Sequence, residues 1–293
     1  MHISNNDGLI FVSLICIGIF LLACVPAVSA LPEPVPCNLT RGSCYTPDIN
    51  DRWQWQLSCA PGIPTCTKIL SSEEQIRFYV IDWEDNSKKT VGKIHNSGAR
   101  AIAYISAGTW ENYRSDKDDF PRSVIGKRYD EWPDEYWLDV RRTDILLPIM
   151  RERMKVCKKK GFDGVQFDNL DGFQQSTEFP LTRKDYLRYT ARLSNIAHKM
   201  GLSCAWENAV EIRTGLLPYM DWFLMEECSV YGECSAARTF ISDGKFVGGV
   251  EYTDDAGSMK FCDTYAKYDI SGMLKRMNLG PYRKPCPCTE FVS

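Results

Sequence analysis

Five short apolar runs in this chain carry a carboxylate at their far end. Asp82 closes IRFYVIDW, Asp168 stands in DGVQFDN, Glu207 in LSCAWEN, Glu226 and Glu227 end WFLMEE, and Glu251 stands in FVGGVEY. Turn-forming acids at strand ends are common. Five of them, with Trp and Tyr alongside, fit a concave acidic pocket with aromatic walls better than a set of surface turns. Carboxylates and amides bind sugar hydroxyls, aromatic faces stack on sugar rings, and a polycationic sugar chain suits such a pocket better still. Glycoside cleavage needs two carboxyl groups: one protonates the leaving oxygen, the other attacks the anomeric carbon or activates water. The densest cluster, GFDGVQFDNLDGF at 161–173, delivers Asp168, Asn169 and Asp171 on strand-forming residues.

Other chemistries fit less well. Acidic pockets also hold Mg²⁺ or Ca²⁺, but no EF-hand spacing and no phosphate-binding glycine loop accompanies these acids. Serine hydrolysis wants a G-x-S-x-G, which is absent. A zinc site is disfavoured by only three histidines and no CxxC pair. The expectation is a hydrolase with no cofactor and no metal.

Eight strand-like runs must position the acids: 53–58, 76–83, 100–108, 163–169, 202–208, 222–227, 246–252 and 270–276. Between most of them lie amphipathic helix candidates at 87–97, 143–160, 182–200, 209–219, 235–243 and 256–267. Thr182, with Asp185 three residues on, marks a helix start. Alternating strands and helices imply a parallel sheet with right-handed crossovers, and eight such units imply an α/β fold closed as a (β/α)8 TIM barrel over 53–293. Residues 31–52 read as an irregular Cys/Pro-rich N-terminal extension. Segment 109–142 reads as a loop excursion over one mouth, carrying the short run YWLDV.

Net charge is −3, with 44% hydrophobic and 25% charged residues. That gives no bulk argument for nucleic acid or an anionic membrane as partner. Residues 1–30 resemble a secretory signal peptide ending Val28-Ser29-Ala30, which implies a secreted, extracellular protein with no membrane attachment after cleavage. An uncleaved anchor and a lipoprotein-type signal ending at Cys24 are the other readings. Clustered cysteines read as disulfides in an oxidising compartment, and Cys228 and Cys234, closing a small loop, are expected to pair. Asn38-Leu39-Thr40 is a glycosylation sequon.

WQWQLS, YVIDWEDN, GARAIAYISAGTWENYRSD, the W-L-D of YWLDV, GFDGVQFDNLDGF, GLSCAWENAVE and the EEC…EC segment, in that order, resemble glycoside hydrolase family 114, the endo-α-1,4-polygalactosaminidase and spherulin-4-like family. The resemblance implies an Asp nucleophile in the fourth-strand motif and a Glu acid/base at the end of the sixth, which fall on Asp168 and Glu226. It implies retention of anomeric configuration and an endo-acting attack on a polysaccharide or oligosaccharide of amino sugars. Family members commonly carry Glu-Pro where this chain has Gln166-Phe167, and Lys where it has Glu207. Asp82, Tyr104, Trp110, Glu111, Arg114, Asn169, Asp171, Asn208 and Glu251 are the substrate-binding candidates. Strand alternation allows only one of Glu226 and Glu227 to face the pocket. Asp168 is expected to stay ionised and Glu226 to carry the proton, with Asp168 and Glu251 as its anionic neighbours. A non-catalytic carbohydrate-binding or matrix protein on the same scaffold is the alternative.

Overall fold

The computed structural model describes residues 30–37, 44–58, 75–253 and 258–287. The leader, the Asn38 sequon, Cys59, Cys66 and Cys288 lie outside the described residues, as does the first strand-to-strand connection.

Three parallel strands come first: β1 (Trp53–Gln56), β2 (Phe78–Asp82) and β3 (Arg100–Ser106), with α1 (Lys88–Asn96) between the last two. The excursion is more ordered than a loop. Strands β4 (Thr109–Glu111), β5 (Ile125–Arg128) and β6 (Glu135–Leu138) form a small antiparallel sheet in the order β4-β6-β5. Helix α2 (Thr143–Lys160) follows, then β7 (Gly164–Asp168), α3 (Arg183–Lys199), β8 (Ser203–Glu207), α4 (Arg213–Leu216), β9 (Trp222–Glu226), α5 (Arg238–Ile241), β10 (Val247–Tyr252), α6 (Phe261–Lys267), β11 (Ser271–Lys275) and β12 (Lys284–Pro285). Each of the eight expected strand runs holds a strand.

The main sheet has nine strands, ordered β1-β2-β3-β7-β8-β9-β10-β11-β12, parallel except for β12. It curls on itself. Among the described residues the ladder does not return from β11 to β1. That edge is bridged instead by the Trp53 indole donating to the Ser271 carbonyl at 2.9 Å and the Ser271 hydroxyl donating to the Asp51 carbonyl at 3.1 Å. A closed eightfold ladder was the sequence expectation; the described sheet is a curled, barrel-like one.

Two apolar layers follow from the period-2 alternation of strands. Inward residues Trp53, Phe78, Trp222 and Phe246 pack against one another at the N-terminal end, with Phe78 5.3 Å from both Trp222 and Phe246. Outward residues pack under the helices. This aromatic plug fills one end of the interior, so the inward polar residues gather at the C-terminal ends of the strands.

Helix α3 starts with the expected capping box between Thr182 and Asp185. The helices expected at 209–219 and 235–243 shrink to single turns, each preceded by a 3-10 turn. Gly215 and Pro218 weaken the first. The basic end of α2 does more than face solvent: the Lys160 ammonium donates to the carbonyls of Trp83 and Glu84, both at 2.8 Å, and braces the loop after β2.

Disulfides join Cys37–Cys44, Cys228–Cys234 and Cys262–Cys286, and Cys157 and Cys204 are buried thiols. The extension is strapped to α3: Val35 N donates to Asn195 Oδ1 and Asn195 Nδ2 to the Glu33 carbonyl, both at 2.8 Å. Among the described residues no helix is long and apolar enough to cross a membrane.

Candidate active site

Strand parity decides which acids face the interior. On β7, Gly164, Gln166 and Asp168 share the inward face; on β9, Trp222, Leu224 and Glu226 share it. Glu226 therefore turns inward, and Glu227 begins the following loop in a left-handed backbone conformation. Asp168 and Glu226 are each gripped by a tyrosine and an asparagine. Tyr104, inward on β3, donates its hydroxyl to Asp168 Oδ2 at 2.6 Å, and the backbone N–H of Asn169 donates to Asp168 Oδ1 at 2.5 Å. Tyr252, inward on β10, donates to Glu226 Oε1, and Asn208 Nδ2 donates to Glu226 Oε2 at 2.9 Å. The Glu226 N–H returns a bond to Asn208 Oδ1 at 2.9 Å.

Local backbone explains why asparagines follow both strands. Asn169 and Asn208 have φ of 59° and 53°, a region that Asn tolerates better than most residues. The β3–β4 turn is equally constrained. A Cβ at Gly108 would lie 1.6 Å from the Asn169 carbonyl oxygen, so only glycine lets the chain pass there. The Ala107 and Gly108 amides both donate to the Asp168 carbonyl, at 3.0 and 3.2 Å. The Asn169 side chain is fixed in turn by donating to Ser106 Oγ at 2.9 Å and to Thr109 Oγ1 and Glu135 Oε2, each at 3.3 Å. Burial and the neighbouring Glu111 charge push Glu135 up to about 7, against the hydrogen bond from Thr109.

The other candidates divide. Asp82, Glu111 and Arg114 form a buried ion cluster. The Arg114 guanidinium forks onto both Asp82 oxygens at 2.9 and 2.7 Å and reaches Glu111 Oε1 at 2.7 Å, while Arg153 sits 3.5 Å from Glu111 Oε2. All four side chains are almost wholly buried. These groups satisfy one another, and they tie the excursion and α2 to the end of β2. Trp110 donates its indole N–H to the Lys117 carbonyl at 3.0 Å and packs edge-on to Tyr136. Trp83 lies in the core beneath Arg114, Arg153 and Lys160. Asp171 accepts from Gln175 at 3.1 Å, and burial raises its pKa.

Glu251 faces away from the interior. Val250 takes the inward position, so Glu251 points to the helix side and accepts from the Tyr265 hydroxyl and the Ser229 amide, both at 2.8 Å. The acid at Glu226's side is instead Glu207, inward on β8, with Gln166 Nε2 donating to its Oε2. Tyr252, Gln166 and Glu207 were not named among the site residues. The parity of their strands was the available signal: Tyr252 and Glu207 are two positions from the inward Val250 and Ala205, and Gln166 lies between the outward Val165 and Phe167.

Asp168, Glu207 and Glu226 thus crowd one buried region. Burial first, and then the Glu226 charge, push the Asp168 carboxyl well above the usual carboxylate range, against the Tyr104 and Asn169 donors that pull it down. Burial and the charges of Asp168 and Glu226 push Glu207 up likewise. Sequence reasoning expected Asp168 to remain simply ionised; crowding with two other acids in a desolvated site opposes that. Among the described residues no Lys, Arg or His forms an ion pair with any of the three. Gln166 Oε1 and Glu207 Oε1 are buried acceptors without a donor. The site is short of hydrogen-bond donors and positive charge. Away from it, Cys37, His198 and Asp221 come within 4.8 Å of one another, but the Cys37 sulfur is bonded to Cys44 and offers no thiolate to a metal.

The glycoside hydrolase family GH114 model matches residues 37–290. No curated protein matches the chain. Among solved structures, Aspergillus fumigatus Ega3 in complex with galactosamine superposes with a TM-score of 0.75 at 30% identity, covering 83% of this chain and 97% of that one. The glycoside hydrolase domain of PelA from Pseudomonas aeruginosa superposes with a TM-score of 0.61 at 13% identity, covering 79% of this chain and 97% of that one, and supports the fold alone. With its inward acids on consecutive parallel strands and this match over nearly all of its described length, the chain belongs to glycoside hydrolase family GH114 and is a glycoside hydrolase.

Proposed function

We propose that the chain is a secreted, endo-acting hydrolase of an α-linked amino-sugar polymer of the polygalactosamine type, with Asp168 as nucleophile and Glu226 as acid/base. The observation that carries this reading is the pair itself: two inward carboxyls, each oriented by a tyrosine hydroxyl and an asparagine, in a site that holds excess negative charge. A 2-amino sugar brings what the site lacks. Its ammonium supplies up to three donors and a positive charge, which lowers the cost of ionising Asp168. Galactosamine in complex with Ega3 supports the same substrate class. On this reading Asp168 attacks the anomeric carbon while Glu226 protonates the leaving oxygen; Glu226 then takes a proton from the water that releases the glycosyl-enzyme, with net retention. The leader of residues 1–30, the extension 31–52 and the catalytic domain 53–293 belong to this proposal.

The test is digestion of an α-1,4-linked galactosamine polymer, with fragment masses and product anomers followed by NMR. Internal fragments that first appear as the α anomer are expected. An intact polymer sinks the activity, and a first-formed β anomer replaces retention by inversion.

A further inference from the structure

Tyr113 stands in the turn after β4, and 58% of it is exposed. An exposed tyrosine normally swings freely; this one is held. Its hydroxyl donates to Glu111 Oε1 at 2.8 Å, and Glu111 is 1% exposed. The Arg114 guanidinium lies over its ring, 5.1 Å from the centroid, and is itself immobilised by Asp82 and Glu111. The ring is thus tied at its polar tip and backed by a buried cation, and the rest of it faces solvent. An apolar surface kept bare in one orientation forgoes its own burial, and it binds a flat partner with little further ordering cost.

Its position says which partner. Asp82, where Arg114 is anchored, is the register partner of Tyr104, whose hydroxyl reaches Asp168 two strands from β2. Two strand spacings are about 10 Å, so a sugar on Tyr113 is a different unit from the one at the reacting bond. Further along the strand order, past Asp168, the loop after Glu226 is closed by Cys228–Cys234 and carries Tyr231, 69% exposed. In the strand order, exposed tyrosines therefore stand on loops to either side of the carboxyl pair.

The geometry points to Tyr113 as the platform of a distal subsite, stacking on a hexosamine unit remote from the bond that is cut and setting a preference for long chains. This rests on the amino-sugar reading above. The experiment measures kcat/KM of the full chain on α-1,4-linked galactosamine oligosaccharides of increasing length, for wild type, Tyr113→Ala and Tyr113→Phe. Tyr113→Ala is expected to lose about tenfold on the longest oligomers and nothing on the shortest one cleaved, while Tyr113→Phe keeps the wild-type length dependence. The ratio of long to short within one variant is independent of how much enzyme is folded. An unchanged ratio in Tyr113→Ala overturns the platform. If wild type cleaves no oligomer, the hydrolytic reading falls separately. The platform is then judged by binding of the longest oligomer, which Tyr113→Ala should weaken about tenfold and which equal binding by the two proteins refutes.

Discussion

Replacing Arg114 by Met separates a scaffold role from a substrate role for a residue whose sequence context suggested the latter. The guanidinium makes three contacts of 2.7–2.9 Å with Asp82 and Glu111, and none of the three side chains is more than 7% exposed. Met fills a similar volume but leaves Asp82 buried without a cation and Glu111 with only Arg153, 3.5 Å away. Removing one partner of a buried ion pair costs about 3–5 kcal/mol, a large part of a total stability of about 5–15 kcal/mol. At roughly 2–4 °C per kcal/mol for a chain of this size, the midpoint should fall by about 6–20 °C. Arg114→Lys keeps the charge, loses the fork and should fall between. Thermal unfolding, read alongside kcat and KM on the folded fraction, decides it. A midpoint within about 2 °C of wild type, with KM alone raised, would mean that Arg114 spends its charge on substrate and would refute the scaffold argument.

Asp168→Asn and Glu226→Gln should each lower kcat about a thousandfold or more, with melting temperatures close to wild type because volume is kept; full activity in either reassigns its role. Glu135→Gln should change the pH dependence of stability. A carboxyl held at about 7 in the fold and near its ordinary value when unfolded costs the native state progressively more as pH rises between those values. The Gln variant should therefore gain on wild type between about pH 5 and 7 and hold that gain above; a gain that shrinks with rising pH contradicts the assignment. Joint replacement of Cys228 and Cys234 by Ser should cost about 2 kcal/mol in urea unfolding, from the short loop they close; no change would show that the loop is held by its hydrogen bonds alone.

The strand order and the positions of Asp168 and Glu226 were legible because short apolar runs ending in acids leave few places for a parallel strand to stop. Glu251 shows the limit. Proximity to a strand end says nothing of which face a residue takes, and only the inward packing of Val250 settles that it turns toward α6. Asp82 shares the inward parity of Phe78 and Val80; what parity does not show is that Asp82 and Glu111 are already paired with a buried cation. Their partner Arg114 sits on an excursion whose three-stranded sheet depends on pairing between 109–111 and 135–138, a non-local event with little local pattern. The short α4 was overcalled because apolar periodicity continues through Gly215 and Pro218; α5 is as short without such a residue inside it.

The strap from Glu33 to Val35 has a consequence for the order of assembly. Its hydrogen-bond partner Asn195 lies 160 and 162 residues further on. During synthesis from the N-terminus these residues emerge well before Asn195 and lack this partner until α3 exists. Closing so long a loop is entropically costly and slow relative to local contacts. The strap should thus lock only after α3 has formed, although it is made long before it, and protection of the Val35 amide from hydrogen exchange would time the completion of the domain.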